Sequence, residues 1–272
     1  MRGASRASLA AAKDRLAAAL ADATAAQAAT VGDELFAVAG LLDREPALRR
    51  NLSDPAIASA ARSGLAESLL SGKISDVAVA QAAGIASGRW SEPGDLANAA
   101  EQLAVLAICT SADREGELDD LEDDLFRFGR IVGGDPGLRY ALSNLFAPAQ
   151  ARRGLVTDLL SGKVNDSALR LISQVAAQPR GRSVDASLEA YAGLAAALRQ
   201  RVVAEVHVVK ELTTEQRARL VATLSSAYGH DVHLNVVLDP DVIGGVSVRV
   251  GDELVNGTAL SRLAELRRTM AA

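Results

Sequence analysis

Two copies of one pentapeptide, Leu69-Leu70-Ser71-Gly72-Lys73 and Leu159-Leu160-Ser161-Gly162-Lys163, place a glycine beside a lysine. That pair closes a phosphate loop, in which backbone N–H groups near the glycines cradle phosphate oxygens and the lysine neutralises them. The rest of such a loop is missing. Ile74 and Val164 stand where a magnesium-binding hydroxyl is required, no glycine precedes Gly72 or Gly162 by five residues, and a helical pattern rather than a strand leads in. A metal site is the second candidate, with His230, Asp231 and His233 close together and His207 upstream. On a strand, positions three apart point to opposite faces, so these groups do not converge. Cys109 and Trp90 have no base or oxyanion donor nearby, which leaves nucleophilic catalysis without support. The acidic run from Asp113 to Asp124 offers no spaced carboxylate pair beside an apolar pocket and reads as a solvated helix face. No catalytic, cofactor-binding or metal-ligating residue is assigned, and no cofactor is expected.

The elements that carry these residues follow from composition and period. Hydrophobic residues make up 49% of the 272 and aromatics only 3%, with alanine dominant, which predicts close-packed helices with small side chains at their contacts. A net charge of -5 on a mixed surface lacks the basic footprint that nucleic acid requires. The single Cys109 excludes an internal disulfide and a thiolate metal site, its apolar neighbours predict a buried thiol, and a reducing compartment follows. No uncharged apolar run approaches the roughly 20 residues that span a bilayer. Lys13, Asp14, Arg15 and Asp22 interrupt the Ala-rich start, so it reads as an amphipathic helix with Leu9, Leu16 and Leu20 on one side rather than a secretory signal.

The chain also repeats itself. With an offset of 90 residues, Asp33 to Asp76 lies over Asp123 to Asp166 without a gap, and 18 of 44 positions are identical, among them Leu35/Leu125, Phe36/Phe126, Arg49/Arg139, Arg62/Arg152 and the whole pentapeptide. Both copies read as one helical module of five or six short helices. Leu35, Val38 and Leu42 form a stripe matched by Leu125, Phe128 and Val132. Glu45-Pro46 and Asp135-Pro136 start a short helix with proline at its first position. Ala61, Leu65 and Leu69, matched by Ala151, Leu155 and Leu159, form the next stripe, ending where Gly72 and Gly162 suit a left-handed C′ position.

Near Arg201 the period changes to two, with Val202, Ala204, Val206 and Val208 on one side of a strand. Thr213 to Gln216 reads as a capping box opening a helix with Leu220 and Leu224. Val232, Leu234 and Val236 give a second strand, stopped by Asp239-Pro240. After Gly244-Gly245, Val246, Val248 and Val250 give a third, Gly251-Asp252 turns the chain, and Glu253-Leu254-Val255 returns. Past Asn256-Gly257, Leu260, Leu263 and Leu266 recur at helical spacing with Arg262, Arg267 and Arg268 beside them. The prediction is mainly α with a small α/β C-terminal domain, that is, two tandem helical bundles followed by a small mixed sheet with helices. Residues 1–94 are the added duplicate module, 95–200 the second bundle and 201–272 the α/β domain.

The C-terminal segment resembles the delta subunit of the F-type ATP synthase, the family of the oligomycin-sensitivity-conferring protein. Val232, Leu234, Leu238, Asp239, Val242, Gly244, Gly245, Val246, Val248, Arg249 and Gly251 fill the family pattern, and Asn256, Gly257, Ser261, Arg262 and Leu263 fit its closing turn and helix. These are architectural positions. The duplicated module resembles the long form of actinobacteria. The resemblance implies a non-catalytic stator subunit, one copy per complex, peripheral on the cytoplasmic face of the bacterial cell membrane. It implies that 95–200 receives the N-terminal helices of the alpha subunits and 201–272 meets the stalk b subunits, with no nucleic acid and no membrane span, and that deleting 1–94 leaves head binding largely intact. A free-standing helical adaptor binding amphipathic partner helices is the alternative. An enzyme built on the C-terminal sheet lacks any acid, base or metal constellation.

Overall fold

Residues that stop and start helices recur 90 positions apart, and the helices recur with them. The structure is a computed structural model that describes residues 3–199, 202–210, 212–228, 232–239, 246–250 and 253–256. It falls into two units, 1–198 and 199–272. The first holds α1 (Gly3–Ala19), α2 (Ala25–Arg44), α3 (Pro46–Ser53), α4 (Ser59–Leu70), α5 (Asp76–Ser87), α6 (Pro93–Glu115), α7 (Leu118–Gly134), α8 (Pro136–Ser143), α9 (Ala149–Leu160), α10 (Asp166–Ala177) and α11 (Val184–Arg199). Helices α8, α9 and α10 reproduce α3, α4 and α5 with the same offset at both ends.

The pentapeptides are helix ends. Gly72 and Gly162 both have φ of 72°, the left-handed conformation that glycine adopts without a Cβ clash. Lys73 Nζ donates to Leu69 O at 2.7 Å and Lys163 Nζ to Leu159 O at 2.8 Å, so each lysine caps the carbonyl end of α4 or α9. Ser75 and Asn165 then cap the next helices, accepting from Ala78 N at 3.3 Å and Ala168 N at 2.7 Å.

The same offset gives α6 two identities. Its start lies 90 residues after that of α1, and that of α11 lies 91 after it, so α6 is both the sixth helix of the first copy and the first of the second. Residues 103–109 are buried on every side, and Ala97, Ala100, Ala104 and Ala107 let neighbours approach closely. Helix α2 makes the most extensive of these contacts. A Cβ at Gly32 of α2 would stand 2.6 Å from Ile108 Cδ1. One continuous core runs through both copies, and the boundary read at 94/95 falls in the first turn of the helix they share. Removing 1–94 would strip α2 from α6.

One expected stripe is displaced. Leu65 and Leu159 are 38% and 37% exposed and Ala61 and Ala151 are exposed, whereas α4 and α9 bury Arg62 with Ala66 and Arg152 with Val156. Arg62 donates to the carbonyls of Leu52, Ile57, Ser87 and Gly88, at 2.7 Å for the last. Arg152 donates to Asn144, Ala147, Ala176 and Ala177, at 2.9 Å for the first and last. Each guanidinium thereby satisfies the carbonyl ends of two helices and a turn, where the helix dipoles favour a cation. Hydrophobic periodicity misses this because the residue at the centre of the buried face is charged.

The second unit holds β1 (Val202–Val208), α12 (Thr214–Tyr228), β2 (Val232–Leu238), β3 (Val246–Val250) and β4 (Glu253–Asn256). The sheet order is β2-β1-β3-β4, with β1 parallel to β2 and the other pairs antiparallel. Helix α12 provides the crossover that a parallel pair needs. The capping box is formed: Thr213 N donates to Gln216 Oε1 at 2.9 Å and Gln216 N to Thr213 Oγ1 at 3.2 Å. Val206, Val208, Val232, Leu234 and Val248 pack with Leu224 of α12 into a small core. The closing helix expected after Gly257 lies outside the described residues.

Replacing Arg152 by alanine is expected to lower unfolding stability by about 3 kcal/mol or more, read from urea titration, because several buried carbonyls lose their donor. Arg152→Lys should recover only part, since an ammonium cannot reproduce the planar fork.

Candidate functional site

The polar groups that the fold draws together inside the helical unit form a clamp rather than an active site. Glu101, on the buried helix α6, has a side chain only 4% exposed. It accepts from Arg180 and Arg182 of the α10–α11 loop and from the hydroxyl of Tyr191 on α11, the last at 2.7 Å. Arg180 also reaches Asp43 near the end of α2, its Nη2 standing 3.1 Å from Oδ1. Burial acts against the Arg180 charge, but hydrogen bonding to Asp43 and the charge of Glu101 outweigh it and hold the guanidinium pKa above its ordinary value. Burial first, then the Glu101 charge, raises the Tyr191 phenol, which stays neutral and donates. Arg180 has φ of 53°, a left-handed backbone that costs a non-glycine residue about 1 kcal/mol or more and that the four-way pairing holds in place.

These contacts tie α2 of the first copy to the second, and others extend the seam. Asp33 pairs with Arg170 of α10, and the rings of Phe36 and Tyr191 lie 6.3 Å apart. The seam was not read from the sequence. Glu101, Arg180 and Tyr191 fall outside the repeated 33–76 and 123–166 segments, and their pairing spans 79 to 137 residues. The available signal was the charged loop Arg180-Gly181-Arg182 in an otherwise Ala-rich stretch.

The C-terminal motif residues are placed as follows. Asp239 follows β2, its N–H donating to Val208 O at 2.9 Å and its Oδ2 lying 3.1 Å from His207 Nδ1. Arg249 is exposed on β3, in register with Glu205 of β1 and Leu254 of β4. Asn256 stands opposite Ser247. Val250 pairs with Glu253, leaving only Gly251 and Asp252 between the strands. Gly244, Gly245, Gly251, Gly257, Ser261, Arg262 and Leu263 lie outside the described residues, as do His230 and Asp231. Among the described residues no three His, Cys, Asp or Glu side chains are placed to hold a metal ion. Cys109 is fully buried and its thiol is pushed up to about 12 by desolvation. No described helix is long and apolar enough to cross a membrane.

Comparison with known proteins then decides the family. The model of the family "ATP synthase delta (OSCP) subunit" matches residues 105–270. The chain is 47% identical to the ATP synthase subunit delta of Streptomyces griseus over 271 residues, covering all of both chains. It is 44% identical to that of Streptomyces coelicolor over 272 residues, covering 100% of this chain and 99% of the other. With that of Thermobifida fusca it shares 44% over 246 residues, 90% of this chain and 91% of the other. The chain belongs to the ATP synthase delta (OSCP) subunit family. The family match starts within α6 and so spans the second copy and the C-terminal unit, while the full-length relatives match through the first copy as well. Delta-family subunits are structural and non-catalytic.

Two outcomes are expected. Glu101→Gln should cost about 2 kcal/mol in urea unfolding, since buried Arg180 keeps Asp43 but loses its second carboxylate, and hydrogen exchange should rise at residues 180–182. Cys109 should resist iodoacetamide at pH 8 in the folded chain and react once unfolded, because a thiol titrating near 12 carries almost no thiolate there.

Proposed function

We propose that the chain is the peripheral-stalk stator subunit of a proton-translocating ATP synthase, joining the catalytic head to the stalk b subunits and resisting rotor torque. Full-length similarity to delta subunits carries the reading. In this reading the helical unit receives the N-terminal helices of the alpha subunits, with residues 95–200 as the family's own bundle and 1–94 as an added one. Residues 201–272 meet the b subunits. One copy serves each complex, on the cytoplasmic face of the bacterial cell membrane.

The physics of the helical unit suits that task. A stator must not flex between its attachment points, and two modules joined by a linker would rotate about it. Here the modules share a buried helix and are clamped by the Glu101 pairing, so load applied to either copy passes through packed core.

Purification of a tagged chain from solubilised membranes is expected to bring down alpha and b subunits together. Recovery of the folded chain alone, with neither, would overturn the assignment.

A further inference from the structure

The seam between the two copies is packed shut along part of its length and open at one place. Between α2 and the α9–α10 pair lies a hollow of about 490 Å³. That volume falls within the roughly 300–1,000 Å³ of small-molecule sites, which favour interfaces of this kind. Phe36 and Leu169 give the hollow an apolar wall, and Arg153, Arg170 and Ser173 bring polar groups to it. Arg170 is paired with Asp33 across the seam. Arg153 is not spent in that way. Its Nη2 stands 3.5 Å from Gln174 Oε1, and no carboxylate lies within ion-pair distance of it among the described residues. Ser173 is only 8% exposed, and its hydroxyl has no hydrogen-bond partner among the described residues. That hydroxyl is not enclosed by protein but keeps access to the hollow it lines. A polar group so deeply buried and left without a partner by the chain is one that something in the hollow must satisfy.

The duplication shows that this chemistry belongs to the seam and not to the module. Ninety residues earlier, Arg153, Arg170, Ser173 and Gln174 are Ser63, Ala80, Ala83 and Gly84. Helices α4 and α5 form over the same span as α9 and α10 without any of those four side chains, so helix formation does not require them. They converge only where the second copy faces α2. Of the residues lining the hollow, Arg153 and Arg170 are cationic and Asp33 alone is anionic. Glu34, the next carboxylate on α2, is turned to Ser75, accepting from its N–H at 2.9 Å and from its hydroxyl at 2.5 Å. Burial, outweighing the charges of Arg170 and Arg153, holds the Asp33 carboxyl above its ordinary value, so it takes up a proton more readily when a second anion enters.

We propose that this hollow binds a small phosphate-bearing anion, whose oxygens take donors from Arg153, Arg170 and Ser173 and whose organic part, where there is one, lies against Phe36 and Leu169. The planar fork of a guanidinium matches two phosphate oxygens at once, and charge-assisted bonds of this kind are the strong ones. Free phosphate and a phosphate monoester share that chemistry and differ in their use of the apolar wall. The site stands apart from the stator assignment, because one chain supplies every residue that lines it.

The test is calorimetric titration of the purified full chain at low ionic strength, with inorganic phosphate and, separately, with adenosine monophosphate. At least one of the two is expected to saturate with a Kd of about 1 mM or tighter, and to move the amide resonances of residues 153, 170 and 173. Arg153→Gln should weaken binding about tenfold and Ser173→Ala about threefold. Arg127→Gln, which removes an exposed arginine outside the hollow, should leave the affinity unchanged. Circular dichroism of each variant checks that it remains folded. Equal affinity for the two ligands assigns the site to phosphate alone, and tighter binding of the monoester brings in the apolar wall. Failure of both ligands to saturate, resonance shifts centred elsewhere, or a loss in Arg127→Gln as large as that in Arg153→Gln overturns the proposal. None of these results touches the stator assignment.

Discussion

Burial of α6 on every side is the constraint from which the helical unit is built. A helix with seven consecutive buried residues cannot be the surface helix of one bundle, so each copy must lend it a layer of neighbours. Its alanines set the distance at which those neighbours sit, and Gly32 of α2 removes the last Cβ in the way. Glu101, more deeply buried than Asp95 on the same helix, must then be paired, because an unpaired buried carboxylate costs several kcal/mol (about 3 to 5 when one partner is removed). Arg180, Arg182 and Tyr191 satisfy it, and in doing so they fix the second copy against the first.

Cations elsewhere do related work at helix ends. Arg62, Arg152, Lys73 and Lys163 all donate to carbonyls that short helices leave without intrahelical partners. In the eight- and twelve-residue helices α3 to α5 and α8 to α10 a large share of backbone carbonyls lies in last turns, so such donors are structurally indispensable. This is why identical arginines and lysines recur in both copies while much of the surface between them has changed. Residues that resemble a phosphate loop are thus explained by helix termination, and their chemistry is spent on the protein's own backbone.

The two copies diverge where their surroundings differ. Phe36 and Phe126 occupy equivalent positions, yet the first lies under the second copy and the second faces outward. Arg49 and Arg139, by contrast, serve the same local purpose, donating to Leu42 O and Val132 O at 3.0 and 3.3 Å. Identity across a duplication therefore tracks local hydrogen bonding more closely than burial.

Local rules made much of this chain legible. Prolines at Pro46 and Pro136, the Thr213 capping box, the left-handed glycines and the alternation of valines specify where elements begin and end, because the groups involved lie within a few residues of one another. The repeat and the C-terminal pattern were likewise readable, the first by counting and the second by resemblance. The stripes at Leu35, Val38 and Leu42 and at Leu125, Phe128 and Val132 are buried as read; what lay beyond reach was where a charged residue takes the inner face and which distant surfaces meet. The stripe expected at Leu65 and Leu69 gave way to Arg62 and Ala66, and neither the sharing of α6 nor the pairing of Glu101 with Arg180 has a local signature. Those outcomes depend on which distant surfaces exclude water from one another, and desolvation is decided only when the chain has folded.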